Sequence, residues 1–164
     1  MKILPYNRVV RDLNGLTPEA FLAKVGQTFT VTTDADQAPV RSRDYSMFLE
    51  GHWFGLATKP GTFDPADPIG SLDVSILQRN LLAPILGIAD PRTDKRIDFV
   101  GGIRGPAELE RKVRSGQFRV AFSLFPTTIQ QLFTVADADR IMPPKSTWFE
   151  PKLKDGLVVH MIDE

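Results

Sequence analysis

Residues 97–125 read IDFVGGIRGPAELERKVRSGQFRVAFSLF and contain the pattern that decides the fold. An apolar strand at 97–100 is followed by a glycine-rich turn at 101–105, a helix at 106–113 and a second strand at 118–125. A strand-helix-strand unit of about thirty residues places its two strands parallel, either directly adjacent or one apart. The second strand is almost entirely apolar, which predicts a central strand that is buried on both faces.

A β-hairpin is predicted upstream of this unit. Residues 45–49 and 52–56 are runs of aromatic and apolar residues on either side of Glu50-Gly51. A two-residue connection whose second member is glycine is typical of the tight turns that join antiparallel strands. This is the clearest hairpin pattern in the chain.

Shorter patterns complete the predicted fold. Thr17 caps a helix with Pro18 at its first position, and Gly26 is expected to end it. The remaining predicted elements are strands at 3–10, 28–33 and 157–162 and helices at 20–25, 72–82 and from Thr127 or Thr128 to Val135. Together they predict an α+β fold, a mixed β-sheet with helices packed against it, in a single domain over residues 1–164.

The composition narrows the classes of function. The chain has 20 basic and 20 acidic side chains, which argues against a general nucleic-acid or membrane-surface binder, so an anion site would have to be local. The absence of cysteine excludes disulfides and thiolate chemistry and fits a cytoplasmic location. No apolar run is long enough to predict a membrane span.

The first candidate site is the turn GGIRG, with Gly101, Gly102 and Arg104, directly before a helix. Glycines with positive φ can let backbone N–H groups converge at a helix N-terminus, where a phosphate or carboxylate can bind. The spacing matches neither the dinucleotide-binding fingerprint nor the P-loop. A tight turn from strand to helix is the alternative interpretation.

The second candidate site is the loop at 143–152, PPKSTWFEPK. Its ammonium and hydroxyl groups could bind an oxyanion, while Trp148 or Phe149 covers an apolar part of the ligand. The alternative is that the aromatic side chains hold the loop on the core and the lysines are solvated. The predicted ligand residues are Lys145, Ser146, Thr147 and Lys152.

The charged loop at 90–98, DPRTDKRID, is a secondary candidate, and a solvated surface with weak ion pairs is the favoured interpretation. Its residues of interest are Asp94, Lys95, Arg96 and Asp98. No metal site is predicted, because His52 and His160 lie far apart on predicted strands without ligand spacing. None of the serines lies in the nucleophile motif of a hydrolase.

Three strings resemble the C-terminal portion of a bacterial family called domain of unknown function 1015: ILPYNRVV at 3–10, LDVSILQRNLLAPILGIADPRTDKRIDFVGG at 72–102 and MPPKSTWFEPKLKDGLVVH at 142–160. Full-length members of that family are longer. Their N-terminal half has an Asp-Gly-His-His-Arg motif that is absent here, and that motif resembles one in free-serine kinases related to the ParB fold.

The resemblance implies phosphoryl chemistry on a phospho-amino acid or a similar compound, linked to serine metabolism, for the whole protein. A cofactor such as Mg²⁺ with a nucleotide would then belong to the full-length protein. The residues that match the family strings are Asp94, Lys95, Arg96, Asp98, Gly101, Gly102, Lys145, Ser146, Thr147 and Lys152. The resemblance assigns none of them a role.

Two hypotheses follow. In the first, the chain is the anion- and substrate-binding half of a small-molecule phosphotransferase or phosphatase and is inactive without the N-terminal half. In the second, it is a noncatalytic structural or interaction domain that packs on that half, or on a second copy as a homodimer.

Overall fold

A six-stranded sheet organises the structure, a computed structural model that describes residues 2–151. The strands are β1 Lys2–Leu4, β2 Tyr6–Val10, β3 Phe29–Thr33, β4 Asp44–Leu49, β5 His52–Thr58, β6 Ile97–Gly101, β7 Val120–Leu124 and β8 Trp148–Glu150. The helices are α1 Pro18–Thr28, α2 Asp73–Leu77, α3 Gly105–Arg114 and α4 Ile129–Asp137. A π-helical turn, Gln78–Leu82, continues α2, and a 3-10 turn, Gly102–Arg104, precedes α3.

The large sheet has the strand order β3-β5-β4-β7-β2-β6, and each neighbouring pair in it is antiparallel. Strands β6 and β7 both pair with β2, so they run parallel to each other with one strand between them. The predicted strand-helix-strand unit is therefore confirmed in its one-apart form. Strand β7 is internal and fully buried, as its apolar sequence predicted, although it is shorter than expected.

The hairpin between β4 and β5 is confirmed. Leu49 pairs with His52, and the connecting residues Glu50 and Gly51 have φ values of 49° and 84°. Positive φ at both central positions is the geometry of a type I′ turn, whose twist matches that of the two strands. Gly51 adopts this conformation without strain because it has no Cβ.

The predicted N-terminal strand at 3–10 is divided at Pro5. Proline has no N–H to donate to a sheet ladder, so it interrupts regular pairing. Strand β1 pairs with β8 in a separate two-stranded sheet, whereas β2 enters the large sheet between β6 and β7. The prediction of one continuous strand was wrong, and the break places β2 inside the large sheet, between β7 and the edge strand β6.

The helices follow their sequence patterns with two differences. The Thr17 hydroxyl accepts a hydrogen bond from Ala20 N–H at 3.2 Å, but α1 continues through Gly26 to Thr28. The predicted helix at 72–82 is present over 73–82, with its second half in π-helical geometry. In that half Ala83 N–H donates to Gln78 O at 2.9 Å. The capping box of Thr128 and Gln131 starts α4 as expected.

Helices cover both faces of the sheet, which confirms the α+β fold. Successive residues of a strand face opposite sides. On one side Val10 and Phe122 belong to the large apolar cluster that includes α1 and α2. On the other, Val9 and Ala121 pack with Leu109 of α3. In the part of the chain that the structure describes, no helix has the length and apolar character needed to cross a membrane. The predicted strand at 157–162 lies outside the described residues.

The two glycines of GGIRG are required by close packing. A Cβ on Gly101 would lie 2.7 Å from the Trp148 ring, and one on Gly102 would lie 2.6 Å from Pro5 Cδ and 2.8 Å from Pro5 O. Positive φ was expected at these positions, but in this motif only Gly105 has it, at 66°. Gly101 has φ of −61°. Glycine is therefore needed at these two positions because Trp148 of β8 packs against Gly101 and Pro5, where the N-terminal strand is interrupted, packs against Gly102.

We expect Gly102→Val to lower the free energy of unfolding by about 1–3 kcal/mol, because the new side chain overlaps the Pro5 ring and backbone. Gly26→Ala is the matched control. Gly26 lies inside α1 with open space around its Cβ position, so alanine should raise stability by about 0.5–1 kcal/mol. Urea denaturation measures both variants, and an unchanged midpoint for Gly102→Val would contradict the packing account.

Candidate functional site

Arg104 lies on the surface beside the GGIRG turn. Its side chain is 67% exposed and its Nη1 lies 3.9 Å from Glu108 Oε1, one turn along α3. The Arg111 guanidinium donates to the same carboxylate at 2.6 Å and holds the pKa of Glu108 below its usual value. The Gly102 N–H is bonded to Pro5 O at 2.8 Å, so it does not point freely toward a ligand.

The loop after α4 is anchored by the groups that the sequence offered as ligands. The Ser146 hydroxyl donates to Pro143 O, and Ser146 O accepts from the Thr127 hydroxyl at 3.0 Å. The Lys145 ammonium lies over the Tyr6 and Phe99 rings, 5.5 and 6.0 Å from their centroids. Thr147 is half-buried beside them, and Lys152 lies outside the described residues.

Trp148 brings the two candidate motifs side by side. Its ring packs on Gly101 and meets the edge of Tyr6 with centroids 5.2 Å apart. Its indole N–H donates to Glu150 Oε1 at 2.6 Å. The aromatic residue of the loop thus fixes it against the end of β6, which is the structural alternative that the sequence left open.

The charged loop at 90–98 is held by hydrogen bonds and ion pairs. Arg96 pairs with Asp94 at 2.8 Å and also donates to the carbonyls of Leu86 and Gly87, and the guanidinium lowers the pKa of Asp94. Asp98 lies 3.9 Å from the Lys112 ammonium. Lys95 is exposed, and its carbonyl accepts from Arg11. These partners favour the interpretation of this loop as an ordered surface.

The sequence did not single out Arg8, which is a buried arginine in the structure. It is only 4% exposed on the internal strand β2. One guanidinium nitrogen donates to Tyr6 O and another to Lys145 O at 2.9 Å, and Cζ lies 5.4 Å from the Phe99 ring centroid. Within residues 2–151 no carboxylate lies within 4.0 Å of it. Burial lowers the pKa of Arg8 to about 10, so the group stays charged at neutral pH.

Arg8 lines an open pocket of about 500 Å³ between α2, the loop at 89–92 and Pro143-Pro144. Arg79 and Gln78 reach it from the π-helical turn, and Ser75 reaches it from α2. Turns of this type are frequent at functional sites because the extra residue redirects side chains. Arg92 also lines the pocket but is paired with Asp90 at 2.9 Å. Val74, Leu82 and the two prolines form its apolar wall.

The charges favour a negatively charged ligand. Arg8 and Arg79 have no carboxylate within 4.0 Å among the described residues, whereas Asp90 neutralises Arg92. Backbone N–H groups are the main cause of the lowered pKa of Asp67, and Arg79 contributes to it only as a minor, longer-range charge. A buried guanidinium bonded only to carbonyls keeps an uncompensated charge, and an oxyanion would supply the missing partner. The pocket size lies within the range of about 300–1,000 Å³ that is usual for small-molecule sites.

The groups that a metal would need do not converge in the described part of the chain. Among residues 2–151 no three His, Cys, Asp or Glu side chains lie close enough to hold an ion. Mg²⁺ in proteins takes carboxylates together with substrate phosphates. The expected Mg²⁺ with a nucleotide stays a prediction for the full-length protein.

Comparison with known proteins found a similar solved structure and a matching family model. A mutant of free serine kinase, in complex with AMP, is similar in structure with a TM-score of 0.52 and 12% sequence identity. The similarity covers 90% of this chain and 53% of that chain, so this chain spans about half the length of its structural relative. At this identity the similarity concerns the fold alone.

A family model described as "Protein of unknown function (DUF1015)" matches residues 1–75 of the chain and supports membership of that family. The resemblance stated from the sequence is thereby confirmed at the level of the family. The match includes β2 and Arg8, whereas the GGIRG turn and the loop at 143–152 lie beyond it. The position of this chain within a longer family protein stays a prediction. No curated protein sequence matches the chain.

We expect Arg8→Lys to lower the free energy of unfolding by about 1–3 kcal/mol, because an ammonium cannot reproduce the planar fork that reaches both Tyr6 O and Lys145 O. Arg119→Lys is the control, since Arg119 is half-exposed and pairs with Glu50 on the hairpin. That variant should change stability by less than about 0.5 kcal/mol. Equal stability of the two variants in urea denaturation would show that Arg8 does not anchor the loop.

Proposed function

We propose that this chain is the anion- and substrate-binding part of a small-molecule phosphotransferase or phosphatase that handles a phosphorylated amino acid or a similar compound. The observation that carries the proposal is Arg8, a buried cation that opens on a pocket without a carboxylate partner in the described residues. Burying such a charge lowers the stability of the fold unless a partner compensates it. A phosphate or carboxylate of a ligand would be that partner.

The surroundings of Arg8 strengthen its interaction with an anion. The pocket wall is partly apolar, and a charged pair interacts more strongly where water is excluded. Arginine can also donate two parallel hydrogen bonds to the oxygens of one phosphate or carboxylate. Arg79 adds a second, exposed cation at the pocket, where it can attract the ligand.

The loop motifs extend this site in the proposal. Lys145 and Arg8 both contact the Phe99 ring, and the Lys145 carbonyl accepts from Arg8 at 2.9 Å. A movement of the loop would therefore alter Arg8 directly. The proposed secondary contacts are Gly101, Gly102, Arg104, Ser146, Thr147 and Lys152, with Asp94, Lys95, Arg96 and Asp98 at the edge.

The structural relative supports a phosphorylated ligand and a link to serine. That protein is a free serine kinase and its structure contains AMP, so its fold accommodates a phosphorylated molecule. This chain corresponds to 53% of it. The reaction of the full-length protein would therefore need groups from the proposed N-terminal half, including those that bind a nucleotide with Mg²⁺, and the isolated chain would be inactive.

A second function is favoured by the surface of α4. Ile129 and Phe133 lie four residues apart on this helix and are 56% and 58% exposed, and Ile141 after it is 91% exposed. Residues at this spacing share one face of a helix. In this alternative the chain is a noncatalytic interaction domain, and α4 packs on the N-terminal half of the family protein or on a second copy.

Calorimetric titration with inorganic phosphate and with O-phosphoserine tests the anion site. We expect both to bind, and a ligand at about 100 times its dissociation constant should stabilise the fold by roughly 2.7 kcal/mol. Arg79→Ala should weaken binding about tenfold by removing one cation, a loss of about 1.4 kcal/mol. Because Arg79 is exposed, this variant should remain folded.

Loop variants and a control complete the experiment. Lys145→Ala and Arg104→Ala should each reduce the stabilisation of the fold by the ligand. Their combined effect should be non-additive if both side chains face one anion. Arg119→Ala, far along the sheet on the hairpin side, should leave binding unchanged. Absence of binding by both phosphate and O-phosphoserine at millimolar concentration would contradict the anion site.

The interaction alternative makes a separate prediction. The N-terminal part of a longer family protein, supplied in trans, should bind this chain tightly, and Ile129→Ser with Phe133→Ser should weaken that complex without unfolding the domain, because both side chains are exposed. Analytical ultracentrifugation measures this complex and any homodimer together. Binding unaffected by the double variant would exclude α4 as the contact surface.

A further inference from the structure

Gln78 has an unusual hydrogen-bonding state at the pocket. It is the first residue of the π-helical turn and lines the pocket together with Arg8 and Arg79. Its side-chain Nε2 donates to Ile88 O at 2.7 Å and to Ala89 O at 3.3 Å. Its Oε1 is buried and has no hydrogen-bond partner among the described residues, where no other buried side-chain nitrogen or oxygen is in that state.

The orientation of this amide is fixed by its neighbours. Rotating it by half a turn would place Oε1 against two carbonyl oxygens, which cannot donate. The amide therefore keeps Nε2 on the carbonyls and leaves Oε1 unpaired. Leaving a buried acceptor without a donor costs about 1–3 kcal/mol, and such groups are few in native structures. A donor from outside the protein would remove that cost.

We infer that the ligand of this pocket presents a hydrogen-bond donor, a protonated amine or a hydroxyl, to Gln78 Oε1 while its anionic group pairs with Arg8 and Arg79. This inference rests on the proposed anion site and names the class of ligand. The ligand is a small phosphate or carboxylate with a donor near the anionic group. Gln78 is then a specificity-determining residue of the pocket.

A neutral acceptor beside two cations is suited to this discrimination. An aspartate or glutamate at position 78 would attract an amine more strongly but would also repel the phosphate and pair with Arg8 or Arg79. An amide oxygen accepts from the donor without neutralising the arginines. Sites built around a buried hydrogen bond reject analogues that lack the donor much more strongly than apolar sites reject a missing methylene group.

Four probes test the inference in calorimetric titrations. O-phosphoserine has an amine, 3-phosphoglycerate has a hydroxyl at the same carbon, 3-phosphopropionate has neither, and inorganic phosphate supplies the anion alone. The two donor-bearing probes should bind the wild-type chain at least tenfold more tightly than 3-phosphopropionate. The order of the first two distinguishes an amine from a hydroxyl. Equal binding of the three larger probes would overturn the inference.

Gln78→Met provides the matched variant, because methionine keeps the length of the side chain without a polar amide. It should abolish the preference for the donor-bearing probes and leave the affinity for inorganic phosphate unchanged. An equal loss for all probes would assign Gln78 a structural role and overturn the inference. Since the four probes on the wild-type chain already support or overturn the inference, a poorly folded variant would not prevent the test.

The same titrations separate the two proposals. Binding of phosphate that depends on Arg79 without any effect of a donor would keep the anion site and refute the role of Gln78. Absence of binding by all four probes to the wild-type chain would refute the anion site and the inference that rests on it.

Discussion

The guanidinium of Arg8, held inside the fold by two backbone carbonyls and an aromatic ring, is the interaction on which the site depends. It joins β2, the internal strand between β6 and β7, to Lys145 of the loop at 143–148. Charges are rarely buried without a counter-charge, because desolvation costs more than hydrogen bonds to carbonyls return. Among the described residues, Arg8 is therefore an uncompensated cation at the pocket. The loop that contributes Pro143 and Pro144 to the pocket is bonded to Arg8 through the Lys145 carbonyl.

In the structure, the GGIRG turn and the hydroxyl groups of the loop at 143–152 have mainly packing and hydrogen-bonding roles. Gly101 and Gly102 are small because Trp148 and Pro5 lie against them, and the Ser146 hydroxyl is bonded within its own loop. These residues place the loop, and the loop places Pro143 and Pro144 at the pocket and the Lys145 carbonyl on Arg8. In the proposed function they act mainly by positioning, while Arg8 and Arg79 supply the charge.

How much could be predicted from the sequence depended on the range of the interactions. The hairpin at Glu50-Gly51 and the capping box at Thr128 are encoded within a few residues, and both were predicted. The break at Pro5 has an equally local cause, but the run of apolar residues around it favoured one strand. The pocket could not be predicted, because only the strand order and the π-helical turn bring Arg8 and Arg79 to the same pocket.

One signal for Arg8 was present in the sequence. It occurs in the string YNRVV, where its neighbours alternate onto two faces that are both buried. An arginine within a strand of this kind must find its partners inside the fold. What the sequence could not indicate is that those partners are carbonyls of Tyr6 and Lys145, since the second lies 137 residues away. Only the tertiary structure leaves the charge uncompensated.

A crystal structure of the chain with bound O-phosphoserine would test the central claim most directly. The account predicts that phosphate or carboxylate oxygens lie about 2.7–2.9 Å from the guanidinium nitrogens of Arg8, with Arg79 turned toward the same group. Ligand bound away from Arg8, with Arg8 still bonded only to the two carbonyls, would contradict it.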